Sequence, residues 1–348
     1  GDAPFPWQEE LFTRFANGTI ERSLDIPTGL GKTGVMAIWL VALAHCAALP
    51  RRLVYVVDRR AVVDQATDIA NGLRDCIDRD PELGQALGLG ARSLPISTLR
   101  GQYVDNKEWL EDPASPAIIV GTVDMIGSRL LFEGYGTTRK MRPYNAGLLG
   151  ADTLVVLDEA HLVPPFEKLL ETIADGGAAF GPRDEVLRNL IPPFKLLSLS
   201  ATGRAGAGKW FGLQEADLEH RGVRKRLDAP KRLTVLPLVD DQRKLEDVLA
   251  EQAWRLAEKG SRPVRCIVFC DKREVARDTK DAIEKLAKGD RKAGTPPVEI
   301  ETELFVGGRR VFEREEAAKR LRELGFIAGS KVERARPAFV FATSAGEV

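Results

Sequence analysis

The chain has 348 residues with 51 basic and 51 acidic side chains, so bulk charge carries no nucleic-acid signal and any such contact needs a local basic patch. With 44% hydrophobic and 29% charged residues it can build large cores under a polar surface, and its length suits two domains. No apolar run approaches the roughly 20 residues of a membrane helix, and the first residues lack a basic-then-apolar signal pattern; a cytoplasmic protein with no membrane contact is expected.

Apolar runs alternate with helical patterns along the chain. "RSLDI" (22–26) leads into a glycine loop and the apolar helix "GVMAIWLVALAHCAAL" (34–49). "RLVYVV" (52–57) precedes a helical stretch from about 61 to 74, and "AIIVGT" (117–122) precedes "VDMIGSRLLF". "TLVVLDEA" (153–160) and "FKLLSLSAT" (194–202) complete at least five candidate strands of a first unit. Continuous Val/Ile/Leu runs suit parallel strands buried on both faces, and their alternation with helices argues for α/β layers. The glycine-rich and charged region 203–232 reads as a connection. Beyond it, 233–238, 264–270, 299–306 and 338–342 are four candidate strands of a second unit. The expected domains are 1–225 and 226–348. Of the four cysteines, Cys266 and Cys270 lie in the apolar run "VRCIVFC" and read as buried thiols in a reducing compartment, because the three histidines do not supply a zinc site.

"IPTGLGKT" (26–33) carries the first chemistry. Backbone N–H groups of such a loop cradle phosphates at a helix N-terminus, where the helix dipole favours anions. Pro27, Thr28, Gly29, Leu30 and Gly31 are the expected loop, in which Lys32 would reach the β- and γ-phosphates and Thr33 would bind Mg²⁺. The strict pattern has a glycine five positions before Gly31, and Ile26 stands there instead. In "LVVLDEAH" (154–161) an apolar strand delivers Asp158 to its C-terminal end, where open α/β sheets bind ligands. Asp158 is the candidate for the magnesium shell, and Glu159 for orienting and deprotonating an attacking water. "SLSATG" (198–203) ends a strand in the hydroxyls Ser200 and Thr202. Upstream, Gln8 in "PFPWQEELF" has an amide able to read an adenine edge, with Phe5 and Trp7 beside it.

P-T-G-x-G-K-T, then D-E-A-H, then S-A-T on successive strands resembles the core of superfamily 2 helicases, with two RecA-like domains. The resemblance implies ATP and Mg²⁺ as cofactors, adenine reading by Gln8, and coupling roles for His161, Ser200 and Thr202. "VVDRRAVVDQ" (56–65), "STLRGQ" (97–102) and "VGTVD" (120–124) resemble strand-contact motifs, which puts Arg59, Arg60, Thr98, Arg100, Gly101 and Thr122 on a nucleic-acid backbone. "CIVFCDKREVA" (266–276) resembles the opening of the second domain, and "FATSAGEV" the start of its fifth motif, with Thr343 and Gly346 as working residues. "DIPTGLGKT", "YVVDRRAVVDQAT", "STLRGQYVDNKEWL" and "GTVDMIGSRLLF" are similar to the helicase–nuclease of type I CRISPR systems, subtype I-U/I-G. That finer resemblance implies single-stranded DNA and a CRISPR surveillance complex as partners and a monomeric chain.

Two departures accompany it. Three histidines, one of them in the DEAH run, leave no HD-type nuclease in this chain. The late-motif arginines that complete such ATP sites have no counterpart before the last residue, so the second domain is expected to be cut short, with its strand at 339–342 central yet missing a neighbour. The leading reading is an ATP-driven translocase core. A nucleotide- and strand-binding fragment without efficient turnover, or another superfamily 2 translocase of restriction or RNA-remodelling type, stays open beside it.

Overall fold

The computed structural model describes residues 3–343 apart from 47, 100–106, 177, 178, 180–182, 191, 202–209, 237–243, 290–295, 307–310 and 327–329. The chain divides into two compact units, 1–231 and 232–348.

The first unit is built on one parallel sheet. Its strands are β1 (Ser23–Asp25), β2 (Arg52–Val57), β3 (Ile96–Leu99), β4 (Ala117–Thr122), β5 (Thr153–Leu157), β6 (Phe194–Ser200) and β7 (Phe211–Gly212), in the order β3-β4-β2-β5-β6-β1-β7. Every residue of β2, β4 and β5 is buried, as the unbroken apolar runs require. Successive side chains of a strand point to opposite faces. Accordingly, Leu53, Tyr55 and Val57 join one core with the helix Val35–His45, while Val54 and Val56 join a second core with the helix Val123–Leu130. The order places β1 beside β6 and one strand from β5, so the loops after β1 and β5 open at the same edge of the sheet.

Two strands went unread in the sequence. β3 is four residues long and half polar, and β7 has two residues, so neither offers a run to detect. The described part of the region read as a connection is also integral to the first unit. Phe211 and Val223 are buried in its core, and Asp217, 1% exposed, accepts the backbone N–H of Trp7 at 2.7 Å. The charged residues of "EHRGVRKRLDAPKR" are all exposed, four of them on the helix Arg221–Leu227, which conceals its single buried anchor in the composition.

The second unit contains the parallel sheet β8 (Arg265–Phe269), β9 (Glu301–Phe305) and β10 (Ala338–Ala342), in the order β8-β10-β9. β10 is central and fully buried, and it has a neighbour on both sides, which corrects the expectation of a missing one. Residues 233–236 are exposed coil rather than strand, with Leu233 88% exposed; 237 and 238 lie outside the described residues. Cys266 and Cys270 are buried thiols, and burial pushes both up from the ordinary thiol value. β8 is covered on one face only: Cys266 and Val268 turn inward while Ile267 and Phe269 are exposed. No helix among the described residues is long and apolar enough to cross a membrane.

Candidate nucleotide and strand site

The phosphate loop leaves β1 with its path already held. The N–H of Ile26 donates to Ser200 O at 3.1 Å, so the end of β6 fixes where the loop begins. Gly29 and Gly31 take φ of 86° and 77°, the left-handed region that glycine enters without a Cβ penalty. Leu30 between them is fully buried, and its carbonyl accepts the Trp7 indole N–H at 3.2 Å. The side chain of Leu30 is therefore an inward anchor, leaving the loop's polar backbone to face a ligand. A turn over Lys32–Gly34 then runs straight into the helix Val35–His45, the loop-to-helix arrangement that favours phosphate.

Gln8 is placed against this loop. Its Nε2 donates to Gly31 O at 3.3 Å, and its Oε1 accepts the N–H of Phe5 at 2.9 Å. A Cβ on Gly34 would stand 2.9 Å from the Gln8 amide, so a larger residue there would push the glutamine side chain off its present place. Phe5 packs edge-on to His220 with Arg226 over its ring, which ties this corner to the segment after β7.

Opposite the loop, β5 ends in the acidic pair. Lys32, 9% exposed, makes an ion pair with Glu159 at 2.8 Å, and Glu159 is about a third exposed. His161 Nδ1 lies 3.4 Å from the other Glu159 oxygen. Glu159 itself adopts φ 45° and ψ 49°, a backbone that costs a non-glycine residue about 1–3 kcal/mol and is held by the surrounding turn. Asp158 is more deeply placed: its N–H donates to Val56 O at 2.9 Å, and burial raises its carboxyl above the usual range.

Sequence reasoning missed Tyr55. The phenol donates to Asp158 Oδ2 at 2.7 Å, and the Thr33 hydroxyl hydrogen-bonds the phenol oxygen. Burial first, and then the charge of Asp158, push this phenol well above its ordinary value, so it is a donor at neutral pH. One side chain thus holds together the two residues expected to bind magnesium. Its only sequence signal is a hydroxyl-bearing ring inside an otherwise aliphatic strand. A hydroxyl and a carboxylate suit Mg²⁺, which takes one or two protein oxygens plus water and phosphate. Among the described residues no group of three or more His, Cys, Asp or Glu offers an alternative metal cage.

The expected strand contacts are less uniform. Thr122 is 7% exposed, and its hydroxyl caps the helix Val123–Leu130 by accepting the N–H of Met125 at 3.4 Å. Thr98 is half-buried, with its hydroxyl 3.1 Å from that of Thr67. Arg59 is half-buried and precedes the helix Arg60–Asp78. Thr343, in the second unit, donates its N–H to Phe305 O at 3.3 Å. Arg100, Gly101, Thr202 and Gly346, and the side chain of Arg60, lie outside the described residues.

A parallel sheet with a phosphate loop after one strand and an Asp-Glu pair after a near neighbour defines a superfamily 2 helicase-like ATPase core. The chain belongs to the family described as "Type III restriction enzyme, res subunit", whose family model matches residues 3–204. No curated protein matches the sequence. Among solved structures it is similar to the helicase Lhr of Mycobacterium smegmatis bound to ssDNA and AMP-PNP, at 18% identity and TM-score 0.56, over 99% of this chain and 40% of that one. It is also similar to the DUF1998 helicase MrfA bound to DNA, at 17% identity and TM-score 0.54, over 98% of this chain and 42% of that one. T. fusca Cas3 with AMPPNP is similar at 16% identity and TM-score 0.56, over 99% of this chain and 40% of that one. At such identities the likeness establishes the fold, and the chain spans about two fifths of the length of these solved chains.

Proposed function

We propose that the chain is the ATP-hydrolysing core of a single-stranded DNA translocase, with the units 1–231 and 232–348 as its two RecA-like domains. The observation that carries this is the convergence of Lys32, Glu159, Thr33 and Asp158 at one sheet edge, with Lys32 2.8 Å from Glu159 and Tyr55 joining the other two.

Lys32 supplies a compact charge to the β- and γ-phosphates, while the loop N–H groups donate hydrogen bonds to the phosphate oxygens. Gln8, already turned over the loop, presents its amide to the base. Thr33 and Asp158 would hold magnesium, which when bound offsets charge on the transferring phosphoryl group. Glu159 takes the proton of the attacking water as its oxygen bonds to the γ-phosphorus and the bond to the leaving ADP oxygen breaks. His161, beside Glu159, and Ser200, whose carbonyl holds the loop start, are the coupling residues on this side of the cycle.

The nucleic-acid role rests on the family, on the fold shared with helicases solved with DNA, and on the motif order. Work in CRISPR interference, beside a surveillance complex on an R-loop, rests on the longer segment resemblances; the fold shared with T. fusca Cas3 agrees with it. The test is ATP hydrolysis with and without single-stranded DNA or RNA, for wild type, Lys32→Ala and Glu159→Gln. DNA-stimulated turnover that both substitutions abolish supports the reading. Nucleotide binding without stimulated turnover leaves a binding module, and no nucleotide binding removes the phosphate-loop assignment. Stronger stimulation by an R-loop-bound surveillance complex than by naked DNA supports the CRISPR setting, and equal stimulation counts against it.

A further inference from the structure

The segment 131–141, "LFEGYGTTRKM", follows the helix Val123–Leu130; its first two residues end the run "GTVDMIGSRLLF", and 133–141 lie outside every motif above. Its two aromatic rings are exposed, Phe132 at 59% and Tyr135 at 74%, more than any other aromatic side chain among the described residues. Neither stacks on another ring among the described residues. Neighbouring exposed apolar groups rimmed by polar residues mark an interaction site where the backbone holds them out, whereas a free loop can fold them back. Here the loop is instead held open.

Its backbone is tied down from beneath. Arg129, 2% exposed, donates to Met125 O and to Tyr135 O at 2.9 and 3.2 Å. Ser128 O accepts the N–H groups of both Glu133 and Gly134 at 2.8 and 2.9 Å. Gly134 has φ 57°, and a Cβ there would stand 2.9 Å from Thr137. Phe132 is itself at φ 62°, a conformation that a bulky residue adopts only when its surroundings impose it. A buried arginine and a strained phenylalanine are spent on displaying side chains to solvent.

The charge around the rings selects the partner. Glu133 is ion-paired to Arg142 at 3.1 Å, whereas Arg139 and Lys140 are exposed and make no ion pair with an acid among the described residues. Protein interfaces are depleted in lysine, while single-strand sites combine free cations for phosphate with aromatic faces for bases. The loop is one helix of about 12 Å away from Thr122, the candidate strand contact at the helix start.

We propose that residues 131–141 form a stacking platform for unpaired bases of a single-stranded nucleic acid, with Phe132 and Tyr135 as stacking faces and Arg139 and Lys140 as phosphate contacts. This rests on the strand-binding reading above and assigns it a surface that starts at the end of one resembling segment and extends beyond it.

The test is fluorescence anisotropy of the full chain on a labelled oligo-dT and on an abasic oligonucleotide of equal length, across a salt series. Wild type is expected to bind oligo-dT more tightly than the abasic strand. The pair Phe132→Ala/Tyr135→Ala should weaken oligo-dT binding roughly 5- to 100-fold and erase the difference between strands, while Tyr135→Phe keeps it. Arg139→Ala/Lys140→Ala should weaken both strands alike and flatten the salt dependence by about one unit of slope per lost contact. Nucleotide affinity and melting temperature, unchanged in all variants, show that the fold is intact. If the aromatic pair leaves the preference for bases in place, or weakens both strands equally, the platform is overturned while strand binding stands; the first of these results points to a protein partner for the rings. If wild type binds neither oligonucleotide, strand binding and platform fall together.

Discussion

The ion pair between Lys32 and Glu159 sets up a competition with nucleotide. ATP phosphates must take the lysine that Glu159 holds at 2.8 Å. Glu159→Gln removes the competing charge and keeps the side-chain shape. Two unit charges about 4 Å apart interact by about 1 kcal/mol at water's dielectric and about 4 kcal/mol at a typical protein-surface value. Glu159 is about a third exposed and Lys32 is buried, so the pair lies between these limits, and the exposed-pair value of about 1 kcal/mol is the least to expect. A gain of about 1 kcal/mol corresponds to roughly fivefold tighter binding of Mg-ATP, even as hydrolysis is lost. The assay is titration of a fluorescent ATP analogue into wild type, Glu159→Gln, Lys32→Ala and the double variant. The cycle isolates the pair: in the Lys32→Ala background, Glu159→Gln can relieve only repulsion between the glutamate and the phosphates. A Glu159→Gln protein that binds nucleotide no better than wild type refutes the competition. So does a gain that is undiminished when Lys32 is absent.

Three further substitutions test how the site is held. Tyr55→Phe removes the hydroxyl shared by Thr33 and Asp158 and leaves the ring in the core; losing a hydrogen bond to a buried carboxylate costs about 1.5–3 kcal/mol. The magnesium concentration for half-maximal nucleotide binding should rise roughly tenfold, with binding in excess chelator unchanged. Asp217→Ala strands the N–H groups of Trp7 and Gln214, which Asp217 accepts at 2.7 and 2.9 Å, and should destabilise the first unit by about 2–4 kcal/mol in urea unfolding, with Asp217→Asn intermediate. Because Trp7 adjoins Gln8, nucleotide affinity should fall with it, and a stable variant with unaltered affinity would separate that corner from the site. Phe339→Ala empties a fully buried position in the central strand β10 and should cost the second unit about 3–5 kcal/mol, read from hydrogen exchange of β8 and β9.

What was legible in the sequence follows from chemistry that is local. The loop around Gly29 and Gly31 needs positive φ and a following helix, and both requirements are written in consecutive residues. The strands β2, β4 and β5 are buried on both faces, so each is an unbroken apolar run that needs no partner to be recognised. Asp158 and Glu159 stand out because they end such a run in the same unit as the phosphate loop, a pairing legible from the order of the segments.

What only the tertiary structure decided depends on residues distant in the chain. Tyr55 gains its role from the register that sets β2 beside β5, which brings a phenol to Asp158 and to Thr33 on another segment. Asp217 lies 210 residues from the N–H that it accepts, in a stretch whose composition reads as a charged connection. The exposed rings of Phe132 and Tyr135 look like core residues in sequence, because apolar character does not tell which way a loop is held; the buried Arg129 and the left-handed turn beneath them decide that. The sequence by itself determined the loop, the acids and the layered α/β fold, since each is a property of a short segment. Their convergence, and the side chains that hold them there, are properties of strand order, which no single segment contains.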